Sequence, residues 1–378
     1  MSVAAITGAC ILADGRWCDR HAVLIADGAI VAVVPHDDIS ETAHVHRLDG
    51  GVVIPGFIDT QVNGGGGVLF NDQPTVAGIT AIAGAHRAFG TTAMLPTLIS
   101  DDLDVVAAAI AAVDAAIMAG VPGIIGIHIE GPFLNTAKRG IHDAAKFRVL
   151  DPAAIALLAS LKHGKTLVTL APELAPSGAI AALVERGVIV AAGHTLASYE
   201  EMQRGIDEGL SGVTHLFNAM TPLESRAPGV VGAAFDSDLI CGIIVDGHHV
   251  HPASLRAAYR AKGPHGLMLV TDAMPIVGTT ETHFRIGNTE IVAEDSMLRS
   301  ADGTLAGSTL DMASAVRNCM DMMQVDMIAA SHMASQTPAA FLGLGATFGR
   351  IAPGYRADLV HLDDAGSVQA CWIAGAVA

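Results

Sequence analysis

The chain has 378 residues, enough for one large domain with an accessory or for two domains. It carries 21 basic and 38 acidic residues, a net charge of −17, which leaves no basic footprint for nucleic acid. Aromatics are 4 % and the apolar fraction is mostly Ala, Val, Ile and Leu, the composition of an α/β protein with Ala-rich helices and β-branched strands. Five scattered cysteines, Cys10, Cys18, Cys241, Cys319 and Cys371, show no Cys-x-x-Cys spacing and read as reduced thiols. The first residues lack a basic n-region, so a cytoplasmic location without a signal peptide is expected. The most apolar long stretch, residues 103–121, is short for a membrane span and holds Asp104 and Asp114, so it reads as a helix packed on a sheet.

Residues 1–50 look all-β. An Asp27-Gly28 pair between two apolar runs is a hairpin signal. From residue 51 onward strands alternate with helices. Helical patterns cover 75–89, 103–119, 151–161 (opened by Asp151-Pro152), 177–186, 199–209 and 252–261. Strand patterns cover 92–98, 121–129, 166–171, 187–193, 212–214, 239–245 and 267–271. About eight such alternations predict an α/β fold, a TIM-like (β/α)8 barrel. Residues 279–305 break the rhythm and read as a β insertion with an Asp302-Gly303 turn. Helices follow at 311–323 and 331–342, then strands at 351–362 and 368–373. The expected organisation is a β-sandwich from 1–53 and 345–378 beside a barrel of 54–344.

The pivotal stretch is Gly126-Ile-His-Ile-Glu-Gly-Pro-Phe133, where an apolar run delivers Glu130 and Gly131-Pro132 stops the strand. Three other runs end similarly, in His194, His215 and Asp272. A buried charge is costly unless paired or metal-bound, and barrels of this type place chemistry at the C-terminal ends of their strands. Any one of these histidines alone reads equally well as a hydrogen-bonded interior residue. Glu130, His194 and His215 together are competent ligands for a borderline divalent metal, with one position left for a water whose pKa falls towards ~7. Asp272 is placed to act as a proton acceptor and donor. Three further histidines crowd Gly247-His-His-Val-His251, and His248, His249 or His251 could meet an anion. Arg226 stands in Pro222-Leu-Glu-Ser-Arg-Ala-Pro-Gly229 and can bind phosphate through its planar fork. His142, in Lys138-Arg-Gly-Ile-His-Asp143, follows the Glu130 strand on a loop.

These segments, with Pro55-Gly-Phe-Ile-Asp-Thr-Gln-Val-Asn-Gly-Gly-Gly-Gly67, Gly193-His-Thr195, Thr214-His-Leu-Phe-Asn-Ala-Met220, Val270-Thr-Asp272 and Leu305-Ala-Gly-Ser308, make the chain resemble the N-acetylglucosamine-6-phosphate deacetylase family of the amidohydrolase superfamily. The resemblance spans the whole chain. It implies a metal-dependent deacetylase of amino-sugar catabolism and cell-wall recycling. One divalent metal, Zn with Fe, Co, Mn or Cd as alternatives, would sit on Glu130, His194 and His215, with Asp272 as general base and then acid. It implies substrate contacts from Ile141, His142, Asn218, Ala219, Arg226, His249, Leu305, Ala306 and Gly307. It also implies a homodimer that shares its phosphate site across subunits. Gln61 and Asn63 stand where two-metal members of the family carry histidines, as vestigial second-metal positions, so a one-metal site is expected. The competing readings are another amidohydrolase (a deaminase or cyclic-amide hydrolase) and a non-catalytic barrel subunit. Lys162 and Lys165 flank a turn, so no lysine stands at a strand end suited to bridging two metals.

Overall fold

The computed structural model describes residues 3–378. Eight parallel strands follow one another in sequence order: Phe57–Val62, Thr91–Ile99, Gly126–Glu130, Lys165–Leu170, Ile189–Ala192, Gly212–Val213, Ile240–Ile243 and Leu267–Leu269. The last meets the first through a parallel bridge between Val62 and Ala273. Asp272 N donates to Gln61 O at 3.0 Å and Asn63 N to Ala273 O at 2.9 Å, so the sheet closes as a barrel. Most strands are shorter than their apolar runs. In the run 121–129 the first residues form a turn at Gly123, whose φ is +86°, and pairing begins at Gly126.

The helices start where their side-chain caps place them. Thr75 accepts from Gly78 N ahead of Val76–Arg87, and Asp151 accepts from Ala154 N ahead of Pro152–Leu158. The expected helix over 331–342 is divided instead into Met327–Ser331, a wide π turn His332–Gln336, and Thr337–Phe341. Pro338 offers no N–H to an α-helical acceptor, and the wider turn absorbs that loss. No helix among the described residues is long and apolar enough to cross a membrane.

Both chain ends build the second layer pair. One sheet orders Ala29–Pro35, His21–Ala26, Ala4–Thr7 and His44–Arg47; the other orders Ala376–Val377, Val368–Ile373, Leu359–Leu362, Val52–Pro55, Cys10–Ala13 and Arg16–Cys18. Ile6, Val23, Ile25 and Ile30 of the first sheet pack on Ile11, Val53, Leu359 and Trp372 of the second. Of the expected strand over 351–362 only Leu359–Leu362 forms a strand; the preceding residues turn at Gly354, with φ +88°, and Arg356 makes a single antiparallel bridge to Ala29. The insertion forms a four-stranded antiparallel sheet, His283–Ile286, Thr289–Glu294, Met297–Ser300 and Leu305–Ser308. A bridge from Ser308 to Ala273 brings its last strand against the barrel mouth.

Candidate active site

Glu130 is the last residue of its strand. Gly131 follows with φ +88°, where an added Cβ would stand 2.2 Å from Ser100 Oγ, so only glycine makes this turn. His194, His215 and Asp272 all stand just beyond strands with left-handed backbone, φ +49°, +35° and +53°. Such conformations are unfavourable outside glycine and persist where the surrounding fold enforces them. Here they turn three side chains off the sheet and onto one point.

Glu130 Oε1 lies 3.2 Å from His194 Nε2 and 2.9 Å from His215 Nε2, and the two Nε2 atoms are 3.0 Å apart. His194 Nδ1 is 2.8 Å from the carbonyl of Lys138 and donates to it. In neutral His194 the lone pair on Nε2 therefore faces the carboxylate and the second imidazole. Three acceptors converging in a buried site suit a cation, and the backbone carbonyl behind His194 is the usual outer partner of a metal-bound imidazole. Burial alone would push the Glu130 carboxyl up, but a proton on His194 or His215 Nε2, in the position a cation would take, outweighs it and holds the carboxyl well below the usual carboxylate range.

Asp272 is buried beside this triad. Burial, then the charge of Glu130, pushes its carboxyl up to about 6. His142 Nδ1 faces both the hydroxyl and the N–H of Ser100, at 2.8 and 3.3 Å, so Nδ1 accepts and the proton sits on Nε2. Burial, then the neighbouring His194, lowers His142 to about 3 and keeps it neutral. A neutral imidazole with Nε2–H is a hydrogen-bond donor for an oxygen in the cavity.

The cavity holds about 370 Å³. Glu130, Ile141, His142, His194, His215, Asn218, Ala219, His249, Asp272, Leu305 and Gly307 line it, as do Lys138, Ile244, Met274 and Thr304, which the sequence did not single out. The three clustered histidines separate cleanly. His249 faces the cavity, His248 Nε2 meets Ser296 Oγ at 2.8 Å, and His251 Nδ1 caps the helix Pro252–Lys262 by accepting from Ala253 N. Ala306 is fully buried in an apolar cluster with Leu69, Met274 and Ile291, so its side chain does not line the cavity. Arg226 is exposed on its loop, outside the cavity of its own chain. Gln61 and Asn63 lie beneath the site and donate to its carboxylates. The Ser100 contact and the Lys138 carbonyl left no sequence signal, because both depend on long-range packing.

The amidohydrolase family model matches residues 52–378. The chain is 47 % identical to N-acetylgalactosamine-6-phosphate deacetylase of Shewanella sp. (strain ANA-3), over 97 % of this chain and 94 % of the relative. It is 37 % identical to N-acetylglucosamine-6-phosphate deacetylase of Homo sapiens, over 86 % of this chain and 83 % of that one. Among solved structures, N-acetylglucosamine-6-phosphate deacetylase from Pasteurella multocida superimposes with a TM-score of 0.96 at 31 % identity, covering 100 % of this chain and 99 % of the other. With this likeness over the full length and a buried Glu–His–His cluster at the barrel mouth, the chain belongs to the amidohydrolase family, in its branch of amino-sugar-6-phosphate deacetylases.

Proposed function

We propose that the protein hydrolyses the acetamide of N-acetyl-D-glucosamine 6-phosphate to D-glucosamine 6-phosphate and acetate. The observation that carries this is the convergence of Glu130, His194 and His215 in one cavity with Asp272, each at the end of a different barrel strand. The galactosamine epimer is the second reading, favoured by the relative at 47 % identity.

Glu130, His194 and His215 would hold one divalent ion, zinc by donor set, which when bound polarises the amide carbonyl and acidifies water. Asp272 takes the proton of the attacking water. His142 Nε2–H donates to the carbonyl oxygen as negative charge collects there. Asp272 then delivers its proton to the sugar nitrogen as the carbon–nitrogen bond breaks. Asn218 and Ala219 would contact the sugar and His249 its phosphate, a reading supported by their lining the same cavity. Leu305 and Gly307 close the cavity from the insertion, with Ala306 shaping that strand from behind. The exposed position of Arg226 supports a homodimer in which it reaches the partner's phosphate site. The pathway role would be amino-sugar catabolism and cell-wall recycling in the cytoplasm.

The test is acetate release from both 6-phosphates, with the unphosphorylated sugars and a chelated sample alongside. Release from a phosphosugar alone, lost on chelation, is the expected result. Equal release from the unphosphorylated sugars would remove His249 and Arg226 from phosphate binding. No release with metal present would point to another amidohydrolase substrate or to a non-catalytic barrel.

A further inference from the structure

Asp246 follows the strand Ile240–Ile243 and leads into Gly247, whose φ is +81°. Its two carboxylate oxygens do different things. Oδ1 accepts the backbone N–H groups of His248 and His249, each at 2.9 Å, which shapes the turn. Oδ2 lies 2.6 Å from His249 Nδ1. Both side chains are under a tenth exposed, at 8 % and 9 %. Burial would push the Asp246 carboxyl up, but the hydrogen bond and charge of His249 outweigh it and hold it below the usual carboxylate range.

We propose that Asp246 is a positioning residue for substrate binding: it locks the ring of His249 through Nδ1, so that Nε2 is presented to the anionic end of the substrate. The inference rests on the reading of His249 as the phosphate partner. With Nδ1–H committed to Asp246, Nε2 is the ring's remaining polar atom, and His249 lines the same cavity as Asp272 and His215. A carboxylate on the far nitrogen compensates positive charge placed on the ring, and charge-assisted bonds to phosphate are the strong ones. His248 and His251 are spent elsewhere, so this coupling belongs to one of the three histidines.

Asp246→Asn separates this role from that of a loop former. The amide oxygen can still accept the two backbone N–H groups, while its –NH2 replaces the anionic partner of Nδ1. The measurement is kcat and KM for the phosphorylated and unphosphorylated sugars in the parent, D246N, H249N and the double variant. Expected is a fall of at least ~10-fold in the preference for the phosphorylated sugar in D246N, the size of one lost charge-assisted bond, and carried mainly by KM. The double variant should lose no more than H249N. If H249N loses that preference and D246N does not, the proposal fails while the phosphate reading stands. Additive losses, or a fall in kcat shared by both sugars, would make Asp246 a loop residue and overturn it. If neither variant changes the preference, the phosphate reading of His249 and this inference fall together.

Discussion

Asn63 Nδ2 lies 2.6 Å from Asp272 Oδ1, and the same oxygen accepts from Gln61 Nε2 at 3.1 Å. Gln61 Nε2 also reaches Glu130 Oε2 at 3.1 Å. The two amides thus clamp the Asp272 and Glu130 carboxylates from below. Asp272 Oδ2 makes no protein hydrogen bond among the described residues. Replacing Asn63 with Ala should lower kcat by ~10- to 100-fold, the kinetic size of a hydrogen bond to a charged group, with metal content unchanged. Steady-state kinetics with elemental analysis checks both. An unaltered kcat would make the clamp incidental.

Asp272→Asn keeps shape and removes proton transfer. Turnover should fall at least ~100-fold while the phosphosugar and metal still bind. Calorimetric titration beside kinetics distinguishes the two, and near-normal turnover would take Asp272 out of the role.

Stripping the metal should abolish hydrolysis and also lower Tm, because binding to the folded state alone stabilises it. Returning zinc should restore both. A Glu130→Gln variant, one ligand short, should show a smaller Tm response to added zinc in differential scanning fluorimetry.

Asp59 is not used in the proposed mechanism, and it is completely buried where the barrel closes. It accepts from Gln61 N at 3.1 Å, Thr271 N at 3.3 Å and Thr271 Oγ1 at 2.5 Å. Burial pushes its carboxyl up from 3.8 to about 7. A raised acid favours the fold when protonated. Its contribution is therefore full below the unfolded pKa and is lost as pH rises through the folded one. Asp59→Asn mimics the protonated form. Its Tm relative to the parent should rise between about pH 4 and pH 7 and level off above; a pH-independent difference would show that Asp59 does not titrate in this window.

Gly307 has φ +64°, and a Cβ there would stand 2.7 Å from both Asp272 O and Met274 Cε. Gly307→Ala should cost ~1–3 kcal/mol of stability and reduce turnover, since relief of the contact moves Asp272. A denaturant melt and a rate measurement check it.

Much of this is legible in the sequence. The four strand-end residues stood out because an apolar run that terminates in a charge or an imidazole needs a reason to bury it. Asp151 and Asp27-Gly28 worked because caps and turns are written within a few residues. The contributions of Ser100 and the Lys138 carbonyl were invisible, since each is fixed by a partner 42 or 56 positions away. Choosing among His248, His249 and His251 needed Ser296 and the helix start at Pro252 to be in place. The π turn at His332–Gln336 was hidden because helical periodicity reads through one extra residue.

The strand Val52–Pro55 pairs with Leu359–Leu362, joining Val53 to His361 across roughly 300 positions. On a ribosome adding ~5–20 residues per second, the N-terminal sheets wait ~15–60 s for that partner. Ala273, through which the barrel closes, leaves the ribosome before Leu359–Leu362. During the interval Val52–Pro55 has one open hydrogen-bonding edge. A message cut short after the barrel would leave that edge permanently open, and the product should go to chaperones or aggregates.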